Sequence, residues 1–135
     1  MEWPADSPMA AGGNVPTELP SATERSSQVL RLADGRRIGF AEYGDAEGQP
    51  VLAIHGTPGS RLMFALTDTT ARERRLRIVA PERPGYGLSD FQLQRSLAEA
   101  ASDLEQCANA LGLRRFALIG VSGGGPYAVA AAAAM

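Results

Sequence analysis

Phe116-Ala-Leu-Ile-Gly-Val-Ser-Gly-Gly-Gly-Pro-Tyr-Ala128 decides the reading of this chain. Phe116 to Ile119 is a short apolar run of the kind a buried strand shows. Gly120-Val-Ser-Gly-Gly124 fits G-x-S-x-G. Tyr127 to Met135 is apolar and Ala-rich, which suits a buried helix, and Pro126 falls in its first turn, where a missing N–H costs little. The stretch therefore predicts a strand, a sharp turn and a helix, with Ser122 at the apex. Such a serine is held in a strained backbone with its hydroxyl exposed. Gly120 and Gly124 stand where side chains would collide. Two other readings fit the same residues. One is a glycine-rich connection with an incidental serine. The other is the G-x-G-x-x-A dinucleotide pattern over Gly123 to Ala128, which requires an acidic residue about 20 positions further on.

Upstream, the pattern alternates. Asp34-Gly35 separates two strand-like runs, Gln28 to Ala33 and Arg36 to Tyr43, which is a strong hairpin signal. Val51-Leu-Ala-Ile54 is a continuous apolar run, typical of a strand buried on both faces. Residues 61–75 read as a helix interrupted by Thr67, Thr69 and Thr70, and residues 76–80 as a strand. Ser96 and Glu99 form a capping box. Leu97, Ala100, Ala101, Leu104, Cys107, Ala108 and Leu111 then fall on one helical face, and Gly112 supplies the stop. A hairpin followed by β-α-β-α-β-α implies an α/β fold with a mostly parallel sheet and an antiparallel start.

The 135 residues allow one domain with a real core. A net charge of −2 offers no basic footprint for nucleic acid. The basic cluster from Arg72 to Arg77 is interrupted by Glu73 and reads as a solvated helix end. One cysteine, Cys107, excludes an intrachain disulfide and reads as core packing. One histidine and one cysteine leave no metal-ligand cluster, and no cofactor is expected. Residues 1–27 carry four prolines and little apolar periodicity, which predicts a disordered tail ahead of a domain over 28–135. The lone Trp3 in that tail decides nothing. The N-terminus lacks a basic segment followed by an apolar run, and no stretch reaches the roughly 20 apolar residues of a membrane span. The expectation is a cytoplasmic protein that takes a small-molecule substrate, without membrane or nucleic-acid contact and with its oligomeric state open.

Three motifs, each after its own strand, together resemble the α/β-hydrolase family in the family's order. His55-Gly-Thr-Pro-Gly-Ser60 looks like the oxyanion loop. Glu82-Arg-Pro-Gly-Tyr-Gly-Leu-Ser89 resembles the D-x-x-G-x-G-x-S turn, with Glu82 in the acidic place. Gly120-Val-Ser-Gly-Gly124 resembles the nucleophile elbow. The resemblance implies that Ser122 is the nucleophile and that the backbone N–H groups of Thr57 and Gly123 form the oxyanion hole. It implies that His55, with Gly56, supports the loop and does not act as the base. A serine at the elbow points to ester, lactone, amide or peptide cleavage, or to cofactor-free perhydrolase-type chemistry. The loop is also similar to that of proline iminopeptidases.

The family places an acid and then a histidine after the serine. None of the thirteen residues after Ser122 is Asp, Glu or His. The expectation is thus the N-terminal half of such a domain, ending after the elbow helix, with its middle strand exposed as an edge and little activity alone. The reading from a different class is a non-catalytic α/β-hydrolase-like module that binds a ligand or a partner.

Overall fold

The computed structural model describes residues 22–135. In chain order these form helix α1 (Ala22–Arg25), strands β1 (Gln28–Arg31), β2 (Arg37–Gly44) and β3 (Gln49–Ile54), and a 3₁₀ segment (Arg61–Thr67). Helix α2 (Asp68–Glu73), strand β4 (Leu76–Pro81), helix α3 (Leu97–Ala110), strand β5 (Ala117–Gly120), a 3₁₀ turn (Ser122–Gly124) and helix α4 (Gly125–Ala134) follow.

The strands make one five-stranded sheet in the order β1-β2-β4-β3-β5. The hairpin β1–β2 is antiparallel, closed at Asp34-Gly35 with Gly35 at φ 90°, and β2 runs antiparallel to β4. β3 pairs in parallel with β4 on one side and β5 on the other. The β3 side chains alternate between two cores, as the period of a strand requires. Leu52 and Ile54 enter one core with Phe40, Val79, Leu104, Ala108 and Ala131, beneath α3 and α4. Val51 and Ala53 enter the other with Tyr43, Phe64, Ala71 and Ile78, beneath the 3₁₀ segment and α2. A strand covered on both faces has no polar alternation, so the unbroken apolar run of residues 51–54 is its natural sequence.

The expected elements α3 and β1–β5 are present. Ser96 accepts the Glu99 N–H while the Glu99 carboxylate accepts the Ser96 N–H, so the capping box is closed. Gly112, at φ 69°, ends α3. Cys107 is buried against Leu32 and Ile38, and burial pushes its thiol up to about 12.

One expectation needs correction. The helix read over 61–75 is a 3₁₀ segment followed by a short α-helix. The Thr67 hydroxyl donates to the Phe64 carbonyl at 2.6 Å, which competes with a continuous α-helical ladder. The chain then leaves α2 through Arg75, at φ 57°. The described residues start ahead of Gln28. α1 occupies part of the expected tail, and it is tied down by Arg25 Nη1 donating to Gly44 O and by Arg61 Nε donating to Ser26 O. The remainder of that tail, Trp3 included, lies outside the described residues. Three of the four arginines of the basic cluster are paired: Arg72 with Asp68, Arg75 with Asp45 and Arg77 with Glu42. Among the described residues no helix is long and apolar enough to cross a membrane.

Candidate active site

Parallel strands align their C-terminal ends, so the loops leaving β3, β4 and β5 meet at one end of the sheet. Those loops carry the three motifs.

Ser122 is exposed and sits at φ 48°. The left-handed region is costly for a residue with a Cβ and persists only where the surroundings fix it. Here they do. A Cβ on Gly120 would stand 2.6 Å from Gly124 O, and one on Gly124 would stand 2.7 Å from His55 O. The strand thus turns directly into α4, with Pro126 near its start, and the serine is left at the apex.

The loop after β3 lies against this turn. A Cβ on Gly56 would be 3.4 Å from Ser122 Cβ. A Cβ on Gly123 would be 2.9 Å from Thr57 Oγ1 and 3.5 Å from Thr57 N. Gly123 is therefore a glycine because Thr57 occupies the place of its side chain. Ser122, Gly123, Gly56 and Thr57 are gathered at one point, with the Thr57 side chain open to solvent.

His55 is fully buried. Its Nε2 accepts the Arg83 backbone N–H at 3.1 Å, and its Nδ1 lies 2.8 Å from Gly56 O. An acceptor at Nε2 and a carbonyl at Nδ1 require a neutral ring protonated at Nδ1. Burial, opposed by the bond to Gly56, lowers its pKa. Both nitrogens are engaged in holding the loop.

Glu82 is also fully buried. Its carboxylate accepts Arg61 Nη1 at 2.9 Å, the Arg61 backbone N–H at 3.2 Å and the Leu88 N–H at 2.6 Å. The last residue of the motif, Ser89, donates to Glu82 O and accepts the Gly39 N–H. This motif clasps the loop after β4 to β2 and the 3₁₀ segment.

Arg83 had no sequence signal beyond its place between Glu82 and Pro84. Its Nη2 donates to Gly56 O at 2.9 Å and also to Thr57 Oγ1. Its guanidinium lies 4.6 Å from the Tyr86 ring centre and 4.8 Å from that of Tyr127 on α4. Burial would raise the Tyr127 phenol, but hydrogen bonds from Arg95 and Arg83 outweigh it and hold the group below its ordinary value. One side chain thus touches the loop after β3, its own loop and α4. A groove lined by Arg25, Glu42, Asp45, Arg72 and Arg77 lies at the opposite end of the sheet and does not include Ser122.

Comparison with known proteins agrees with this architecture. The family model for the alpha/beta hydrolase fold matches residues 49–134. The chain belongs to the α/β-hydrolase family. It is 29% identical over 120 residues to a proline iminopeptidase of Xylella fastidiosa (strain 9a5c), covering 84% of this chain and 37% of that protein. Among solved structures it resembles the esterase EaEST from Exiguobacterium antarcticum, with TM-score 0.69 and 29% identity over 78% of this chain and 39% of that one. It also resembles the N-acyl homoserine lactonase AidH complexed with N-butanoyl homoserine, with TM-score 0.70 and 26% identity over 81% of this chain and 40% of that one. The chain therefore spans between 37% and 40% of the length of these relatives.

Proposed function

We propose that these residues supply the nucleophile and the oxyanion hole of a serine hydrolase that cleaves a carboxylic ester, lactone or amide bond through an acyl-enzyme. The observation that carries this reading is Ser122 at φ 48°, packed against Thr57 and Gly123. Ser122 Oγ attacks the carbonyl carbon while a base takes its proton, and the carbonyl electron pair moves onto oxygen. The N–H groups of Thr57 and Gly123 receive that charge. Preorganised donors of this kind contribute about 2.7–4 kcal/mol each. Collapse of the intermediate expels the alcohol or amine with the proton, and water then releases the acid by the same route in reverse order.

The base is not His55, whose two nitrogens are committed to Arg83 and Gly56. The sequence has one histidine, so another group takes the proton. We therefore expect the 135-residue chain alone to turn over esters slowly. Names of relatives, an esterase, a lactonase and a proline iminopeptidase, support acyl transfer as the class of reaction.

The test pairs the 135-residue chain with the full-length protein and its Ser122→Ala variant, using a p-nitrophenyl ester and a fluorophosphonate probe. The expected result is Ser122-dependent turnover and labelling in the full-length protein, both far weaker in the shorter chain. A full-length enzyme indifferent to Ser122→Ala would overturn the nucleophile assignment.

A further inference from the structure

We propose that the Thr57 hydroxyl is a third donor to the oxyanion, and that Arg83 is the positioning residue that turns its proton there. This rests on the serine-hydrolase reading above. A hydroxyl carries one proton and two lone pairs. Arg83 Nη2 donates to Thr57 Oγ1, so one lone pair is taken and the O–H must point elsewhere. The other polar neighbour, Tyr86 Oη, is 3.4 Å away, well beyond the ~2.7–2.8 Å of a good O–H···O bond. On its remaining side Thr57 Oγ1 faces Gly123, in the space where a side chain would stand. The Thr57 backbone N borders the same space. The hydroxyl proton is thus directed toward the place where the two backbone N–H groups act.

Arg83 is built to hold this arrangement. It is 7% exposed. Its backbone N–H is fixed on His55, its Nη2 on Gly56 O, and its plane between Tyr86 and Tyr127. Being unable to swing toward substrate, it acts through Thr57. A donor that is itself bonded to a guanidinium is polarised, and the gain is greatest when full negative charge forms on the acceptor. The effect therefore belongs to the transition state and appears in kcat, leaving KM nearly unchanged.

Four variants of the full-length enzyme test this: Thr57→Val, Thr57→Ser, Arg83→Lys and the Thr57→Val/Arg83→Lys pair. Valine keeps the shape of threonine and removes the hydroxyl at an exposed position. We expect Thr57→Val to lower kcat about 10- to 100-fold with KM within about twofold. Thr57→Ser should retain most of the activity. Arg83→Lys should lower kcat, and the double variant should be no slower than Thr57→Val, because both changes remove one interaction. A Thr57→Val enzyme with kcat within about twofold of wild type, in a protein that Ser122→Ala inactivates, would overturn the third donor and leave the nucleophile in place. Multiplicative losses in the double variant would overturn the route from Arg83 through Thr57. Should Arg83→Lys fail to fold, the Thr57 pair alone decides. Loss of the parent reading has a different signature: turnover that does not depend on Ser122.

Discussion

Arg61 Nη1 lies 2.9 Å from Glu82 Oε1, and this pair between the 3₁₀ segment and the loop after β4 is almost wholly out of water. Buried ion pairs add little net stability when intact but are costly to break. Glu82 has no substitute partner for the groups it serves, which include the Leu88 and Arg61 backbone N–H groups. Glu82→Ala should therefore destabilise the chain by about 3–5 kcal/mol, read from its urea unfolding transition. Replacing both partners, as Glu82→Leu with Arg61→Met, should recover part of that loss. A single Glu82→Ala variant within about 1 kcal/mol of wild type would show that the pair behaves as a surface contact.

His55 gives the fold a pH dependence of known sign. Its folded pKa is held below the ordinary histidine value by burial. The unfolded chain then binds more protons than the folded one between the two values, so stability rises with pH there. The contribution is complete above the unfolded value of about 6.5 and is lost as pH falls from there through the folded value. Unfolding midpoints in urea should drop between pH 7 and pH 5. In His55→Leu the midpoint should be lower at pH 7, because the Arg83 N–H loses its acceptor, yet should change less across that range. An equal slope in the variant would assign the pH dependence to other groups.

What the sequence disclosed follows the range of the interactions involved. Asp34-Gly35, the Ser96–Glu99 box and the apolar run at residues 51–54 are local signals, and each formed as read. The three motif loops could be placed at one end of the sheet because parallel strands leave no other choice. Other features depend on which of two partners wins. The Thr67 hydroxyl chose the Phe64 carbonyl, and the helix became 3₁₀ there. Arg36 reaches Asp103 on α3 with both terminal nitrogens, at 2.8 and 2.7 Å, which no spacing reveals. Arg83 was invisible for the same reason. Its neighbours Gly56 and Thr57 come from one loop and Tyr127 from α4, and only the assembled sheet brings them together.

The cap of α3 offers a clean local test. Ser96 donates to the Glu99 carboxylate from its backbone N–H at 2.7 Å and from its hydroxyl at 3.0 Å. The first of these is the larger cause holding Glu99 below the ordinary glutamate value, and the second adds to it. Ser96→Ala removes the hydroxyl bond and the acceptor for the Glu99 N–H. It should cost about 1 kcal/mol of stability. The Glu99 titration followed by NMR should move upward, part of the way to an unperturbed carboxylate, since the backbone bond survives. A stability loss with an unmoved Glu99 titration would separate the cap from the box.

The free edge of β5 is the last consequence. Among the described residues β5 pairs only with β3 and stands at one edge of the sheet, and its Ile119 is 47% exposed. Beside it, α4 leaves Val129 70% exposed and buries fully only Ala131. An unpaired strand edge beside apolar side chains templates association with another chain. The 135-residue chain should therefore self-associate in a concentration-dependent way. Lysine at either position places a charge on that surface without removing a buried contact. Ile119→Lys and Val129→Lys should each shift light scattering and size-exclusion profiles toward the monomer, with a change in unfolding free energy under about 0.5 kcal/mol. The effect should be absent from Leu66→Lys, whose side chain is 93% exposed on the 3₁₀ segment, which packs against β2 and β4. Equal relief from all three would mean that the association follows net charge and not the β5 edge.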